Sequence, residues 1–339
     1  MLRRFVRRII GLDTIANSQR RLQRDVSALV GTTADGSISV KCDYQTKRIP
    51  IFRKHQAAPF IAPSGESWMA GAVYDARPIY FQGRRLFYFC GQPVYRNDML
   101  LVVGLAEMAG DRLSIHPKPV IVPDVEKFGI DIPAFTVVGD EIIGIYFDAH
   151  GPGASGRGVD TDVVIVKSKD GVSFTKHVIK TPFSEITRDR IGLPWLLNDD
   201  GVIRVYMRAK AEAQNCLLTT VLDLSKIALA PLKKLAEFPR NPINIAVTKR
   251  SCGYLLFYGA TTAGGFYVAS SDDGLTWDFS PERMLTSSDG EEWAWDYYKV
   301  CGSPDNLQSD DVSMCYLSNN SKPCVGYGSF SVADFMKHK

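Results

Sequence analysis

Two aspartates stand the same distance from a turn glycine. In DARPIYFQG, Asp75 lies eight residues before Gly83, and in DIPAFTVVG, Asp131 lies eight residues before Gly139. A third carboxylate, Asp189, opens DRIGLPWLLNDDG between Arg188 and Arg190. Carboxyl groups gathered around one small volume suit chemistry at an acetal centre, where one supplies a proton to the leaving group and another activates or acts as the nucleophile. The arginines beside Asp189 favour its ionised form, which makes it a weak proton donor. Glu185, four residues earlier, is a poorer positional match. Against this stands a structural reading of all three, because an aspartate at the start of a strand commonly caps a turn.

The elements that would position these residues are strands. LFYFCGQPVY, EIIGIYFDA, VDTDVVIVKS, GVIRVYMRAK, YLLFYGATT, GGFYVASS and VSMCYLSN are short, rich in Val, Ile, Tyr and Phe, and bounded by Gly, Asp, Asn or Pro, so the chain reads as all-β. They repeat. The intervals are 56 residues from Asp75 to Asp131, 58 to Asp189, 55 to Asn244 and 52 to Asp296. SSDDGLTWDF (270–279) has a blurred copy in KSKDGVSFTKH (167–177), and APSGESW before Met69 echoes SSDGEEW before Ala294. Repeats of this length built from four short strands predict a five-bladed β-propeller over residues 43–335.

In such a ring the first strand of each blade lines the channel, and the starts of first strands share one face with the ends of second strands. That geometry predicts a polar ring of Asp75, Asp131, Asp189 or Arg190, Asn241 or Asn244, and Asp296, joined by Gln92, Asp148, His150, Arg208 and Lys210, with Arg77 a further candidate ligand. Asp75, Asp131 and Asp189 are the candidate catalytic residues, and the others are candidate substrate ligands. A ring of this kind suits a sugar or another polyol.

Composition narrows the alternatives. The 339 residues are 45% hydrophobic and 23% charged, with a net charge of +3, and no apolar run approaches the ~18 residues of a membrane span. Seven scattered cysteines with no C-x-x-C pair fit free thiols in a reducing, cytoplasmic compartment. GPGASG at 151–156 satisfies G-x-G-x-x-G but leads into the strand VDTDVVIV, so no dinucleotide cofactor is expected. His150 lacks a spaced partner, and no metal site is expected. Basic residues concentrate in residues 1–35, read as a basic amphipathic helical extension. It would pack on the body, self-associate, or lie peripherally on the anionic inner face of a membrane. The modest charge elsewhere argues against nucleic acid as a partner.

Particular motifs carry a resemblance. SSDDGLTWDF resembles the Asp-box of sialidases, S-x-D-x-G-x-T-W, at Ser270, Asp272, Gly274, Thr276 and Trp277, and the resemblance implies an architectural turn. SWMAGAVYDARPIYFQGRRLFYFCG and DIPAFTVVGDEIIGIYF resemble the first two blades of five-bladed propeller glycoside hydrolases of the arabinanase, β-xylosidase and invertase-like type. The resemblance implies that Asp75 is general base or nucleophile, that Asp131 orients, and that a third-blade Glu is the general acid. This chain departs there, with Asp189 in the expected place. Three functions follow: a carboxylate-dependent glycoside hydrolase; an intracellular glycosyltransferase taking a nucleotide sugar into surface polysaccharide; or a non-catalytic carbohydrate-binding propeller.

Overall fold

A computed structural model describes residues 30–32, 38–40, 53–54, 59–94, 101–123, 129–130, 133–149, 161–179, 191–211, 214–240, 242–260, 266–285, 302–307, 309–320 and 322–337. The chain divides into two compact units, Met1–Lys47 and Arg48–Lys339. In the first, β1 (Val30–Thr32) pairs antiparallel with β2 (Ile38–Val40). The expected helical extension ran to residue 35, and within it the structure describes Val30–Thr32, as strand. Val30, Gly31 and Thr32 favour this, since β-branched residues and glycine are poor helix formers. The rest of that extension lies outside the described residues.

The second unit is the predicted propeller. Blade 1 consists of β4 (Ala72–Phe81), β5 (Arg84–Gln92), β6 (Val102–Ala109) and β7 (Arg112–Ile115). In blade 2, β8 (Gly129–Ile130) and β9 (Ala134–Val138) share the inner position, followed by β10 (Glu141–Ala149), β11 (Thr161–Ser168) and β12 (Thr175–Ile179). Blade 3 has β13 (Ile191–Asp199), β14 (Val202–Ala211) and β15 (Gln214–Asp223), with β16 (Ala228–Leu229) and β17 (Lys233–Glu237) on its outer side. Blade 4 has β18 (Pro242–Arg250), β19 (Gly253–Ala260), β20 (Phe266–Ser271) and β21 (Asp278–Leu285). Blade 5 runs β22 (Gly302–Pro304), β23 (Asp311–Asn320), β24 (Lys322–Ser331) and then β3 (Arg53–Lys54), followed by the short helix α1 (Val332–Lys337). The outermost strand of the last blade thus comes from the chain before blade 1, and this closes the ring.

The inner strands touch in the order β4, β9, β13, β18, β22 and back to β4. Between blades the packing is apolar, because the middle strands bury both faces. Ile79 and Tyr88 of blade 1 meet Ile142 and Val164 of blade 2, while Phe87 packs with Tyr327 and Val325 of blade 5. Such strands read as near-continuous hydrophobic runs, as EIIGIYF does.

The two related turns occupy equivalent places, between the third and fourth strands of blades 2 and 4. Asp170 Oδ1 accepts from the backbone N–H of Val172 and Ser173, both at 2.7 Å, and Gly171 N–H donates to Ser168 Oγ at 2.8 Å. Asp273 Oδ1 accepts from Leu275 and Thr276, also at 2.7 Å, and Gly274 N–H donates to Ser271 Oγ at 2.9 Å. The motif is therefore S-x-D-G, and its serine and aspartate in blade 4 are Ser271 and Asp273, not the expected Ser270 and Asp272. Each turn is gripped by the preceding blade. Tyr88 donates to the carbonyl of Gly171 at 2.7 Å with Phe174 edge-on to its ring, and Tyr206 donates to that of Gly274 at 3.1 Å with Trp277 edge-on. Glycine is required at both, since φ is +77° and +71° and a Cβ would come within 3.1 and 2.8 Å of the tyrosine oxygens.

Candidate functional site at the upper end of the channel

The upper end is taken here as the side where inner strands begin. Just inside it, β4 holds one more residue than β5 between Tyr74 and Arg77, β13 one more than β14 between Gly192 and Trp195, and β18 one more than β19 between Pro242 and Ile245. Blade 2 does the same between Ile130 and Ala134. A bulge of this sort bends its strand and re-aims a side chain. In β4 the bulge is Asp75-Ala76, and Asp75 takes the left-handed region at φ 41°, where a residue other than glycine sits at a cost of about 1–2 kcal/mol.

Asp75 is buried, and Asn244 Nδ2 donates to its Oδ1 at 3.1 Å. Blades 1 and 4 are not neighbours, so this bond spans the channel and shows how narrow it is at that level. Two residues further along β4, Arg77 is 2% exposed and fixes three other blades. Its Nε donates to the carbonyl of Pro133 at 3.2 Å, its Nη1 donates to Ser303 Oγ, and its guanidinium lies 4.7 Å from the centre of the Trp195 ring. Trp195 Nε1 in turn donates to the carbonyl of Val247 at 2.5 Å. The channel is plugged here by a cation.

Around Asp75 the same end carries Gln92, buried and accepting from the Tyr74 hydroxyl at 3.1 Å, and Arg208, which donates to the carbonyl of Pro242 at 2.5 Å. Asp148 pairs with Ile130 and Asp162 along β10, at the same end.

The lower half differs. Below Arg77 the channel opens into a cavity of about 180 Å³ that reaches Asn198, Lys249 and Asn306. Asn306 donates to and accepts from the backbone of Tyr80, and Asn198 donates to the carbonyl of Val137, so each ties its blade to a neighbour. Burial pushes the Asp199 carboxyl up, but hydrogen bonds from Lys249, Arg204 and Tyr254 outweigh it and leave the group below the usual carboxylate range. Arg250 and Asp305 form an ion pair at 2.8 Å with almost no exposure. Burial pushes the Asp305 carboxyl up and the Arg250 guanidinium down, so desolvation outweighs their attraction. Among the described residues no group of three His, Cys, Asp or Glu side chains could hold a metal ion.

No known protein-family profile matches the chain, and no curated protein matches its sequence. Solved structures do match. The β-1,2-mannobiose phosphorylase from Listeria innocua, in complex with β-1,2-mannobiose, aligns with a TM-score of 0.63 at 12% identity over 84% of this chain and 98% of its own. A family 117 glycoside hydrolase from the marine bacterium Zobellia galactanivorans aligns with a TM-score of 0.60 at 15% identity over 83% and 90%. A structure from the GH130 family of mannoside phosphorylases, reported with glycoside hydrolases that target β-1,2 mannosidic linkages in Candida mannan, aligns at 0.60 and 13% over 81% and 93%. The chain has the fold of the propeller glycoside hydrolases.

Within that fold, Asp75, Gln92, Asp148, Arg208 and Asn244 lie at the upper end. Asp131, His150, Asp189, Arg190 and Asp296 lie outside the described residues. The equal spacing of the first two aspartates reflects turn type, because Gly83 is the second residue of its turn and Gly139 the first. In blade 3 the bulge brackets Leu193 and Pro194, so an apolar residue takes the register position that Asp75 holds in blade 1. A repeat period averages over loops of unequal length and cannot resolve such an offset. Sequence reasoning missed the roles of Trp195 and Ser303, for which spacing carries no signal, and the contacts of the Arg77 guanidinium with three other blades.

Proposed function

We propose that the chain is a carbohydrate-active enzyme that cleaves glycosidic bonds at the upper end of the channel, with Asp75 as general base or nucleophile. The observation that carries this is the backbone and burial of Asp75: a left-handed aspartate on a bulge, held by a side chain 169 residues away across the ring. A turn cap needs only local backbone donors, as at Asp170 and Asp273. Left-handed, over-determined positions of this kind concentrate at functional sites. The carbohydrate-processing neighbours of the same fold support the substrate class.

Cleavage needs a second carboxyl group to protonate the leaving oxygen, and the sequence offers Asp131 and Asp189 for it. Asn244 orients Asp75, while Gln92 and Arg208 sit where sugar hydroxyls would be held. The test is turnover of an oligosaccharide panel with and without inorganic phosphate, followed as new reducing ends or sugar phosphate. Asp75→Asn should lower kcat by roughly 10³-fold, within the usual range for an acid–base group, with the melting temperature little changed. Turnover retained by Asp75→Asn, or none by the parent chain on any glycoside, sinks the proposal.

A further inference from the structure

We propose a second ligand site in the lower half of the channel, beneath Arg77, built to take a small oxyanion such as phosphate or a carboxylate. The cavity lies on the far side of Arg77 from Asp75, since the inner strands line it from the level of Arg77 and Trp195 down to Lys249 and Asn306, and neither Asp75 nor Asn244 contributes.

The charge of this cavity is unbalanced. Of its ionised groups, Lys249 is committed to Asp199 at 2.8 Å and Asp200 at 2.6 Å, and Asp305 is committed to Arg250 at 2.8 Å. Arg77 has only neutral partners: the Pro133 carbonyl, the Ser303 hydroxyl and the Trp195 ring. No carboxylate among the described residues pairs with it, and its Nη2 is buried with no hydrogen-bond partner. A buried guanidinium without a counter-ion is costly, and two oxygens of a carboxylate or a phosphate match its geometry in bidentate fashion. Thr136 and Thr248, both buried, line the same cavity and add two hydroxyl groups. The volume of about 180 Å³ admits an anion of this size with accompanying water. Access is from below, where Asn198, Lys249 and Asn306 are only half-buried.

The stacking of Arg77 on Trp195 supplies a readout. Titrating the full chain with inorganic phosphate, sulfate or acetate should give a saturable change in tryptophan fluorescence and a raised melting temperature, neither produced by chloride at equal ionic strength. Trp195→Phe should remove the fluorescence change. Thr248→Val should weaken the apparent affinity, and Arg77→Gln should weaken it about tenfold or more, as expected for loss of a charge-assisted hydrogen bond. Asp75→Asn should leave it unaltered, which separates this site from the proposed catalytic one. If Arg77→Gln does not fold, the parent protein crystallised with selenate decides: an anomalous peak within hydrogen-bond distance of Arg77 upholds the site, and a channel holding only water overturns it. Equal stabilisation by chloride, or a phosphate response unchanged in Arg77→Gln, overturns it as well.

Discussion

At the scale of single residues, the molecule places its unusual groups on the channel axis and secures them over long sequence distances. Asp75→Gly tests what its left-handed backbone does. Glycine relieves the φ strain of about 1–2 kcal/mol, which offsets the roughly 1 kcal/mol of the lost Asn244 bond, so the variant should melt close to the parent although it loses turnover. A clear fall in melting temperature would make Asp75 structural. The Arg250–Asp305 pair predicts the opposite. Arg250→Met strands a buried carboxylate and should cost about 3–5 kcal/mol in chemical denaturation, only part of which Arg250→Met with Asp305→Leu should recover, because Asp305 also accepts from the backbone N–H groups of Leu307 and Ser313, both at 3.1 Å. Asp75 was legible because its residue type and its place near the start of an inner strand both pointed to the funnel. Arg77 was not, because its partners lie 56 and 226 residues away and a buried arginine leaves no periodic trace.

At the scale of elements, the S-x-D-G turns and the tyrosines that grip them form a unit joining blade 1 to blade 2 and blade 3 to blade 4. Tyr88→Phe and Tyr206→Phe should each cost about 1 kcal/mol, the usual net worth of such a bond, and the costs should add because the sites share no neighbours. Hydrogen bonds from the Thr276 and Leu275 N–H groups hold the Asp273 carboxyl at about 2, below its ordinary 3.8. A depressed carboxyl stabilises the fold above its unfolded value and loses that contribution as pH falls through the folded one. The melting-temperature gap between the parent and Asp273→Ala should therefore be full above pH 4 and close toward pH 2; a gap constant over that window would assign the effect to packing. These turns were legible from the paired copies, yet the serine was read one residue early. SSDD offers two S-x-D registers, and only Ser271 with Asp273 puts glycine directly after the aspartate, as Ser168, Asp170 and Gly171 do in blade 2.

At the scale of the whole molecule, five blades were legible because each must bury two apolar faces against neighbours, and that demand writes a period into the chain. The period could not fix the register within each blade, since loops between blades vary freely in length. A fragment beginning at Arg48 keeps β3 and should unfold in one cooperative transition. One beginning at Ala58 lacks it, leaves β24 unpaired at Gly328 and Ser329 while Phe60 and Ile61 still bond Val325, and should melt lower and associate at high concentration; equal melting temperatures would show that β3 contributes nothing to closure. The same strand sets a timetable. During synthesis Arg53–Lys54 leaves the ribosome about 270 residues before its partner β24, which at ~5–20 residues per second is a wait on the order of tens of seconds. Throughout that wait Phe60 and Phe87, which pack on each other and end up against Tyr327, lack the blade-5 face of their cluster, so the growing chain carries an uncovered apolar edge until the last blade arrives.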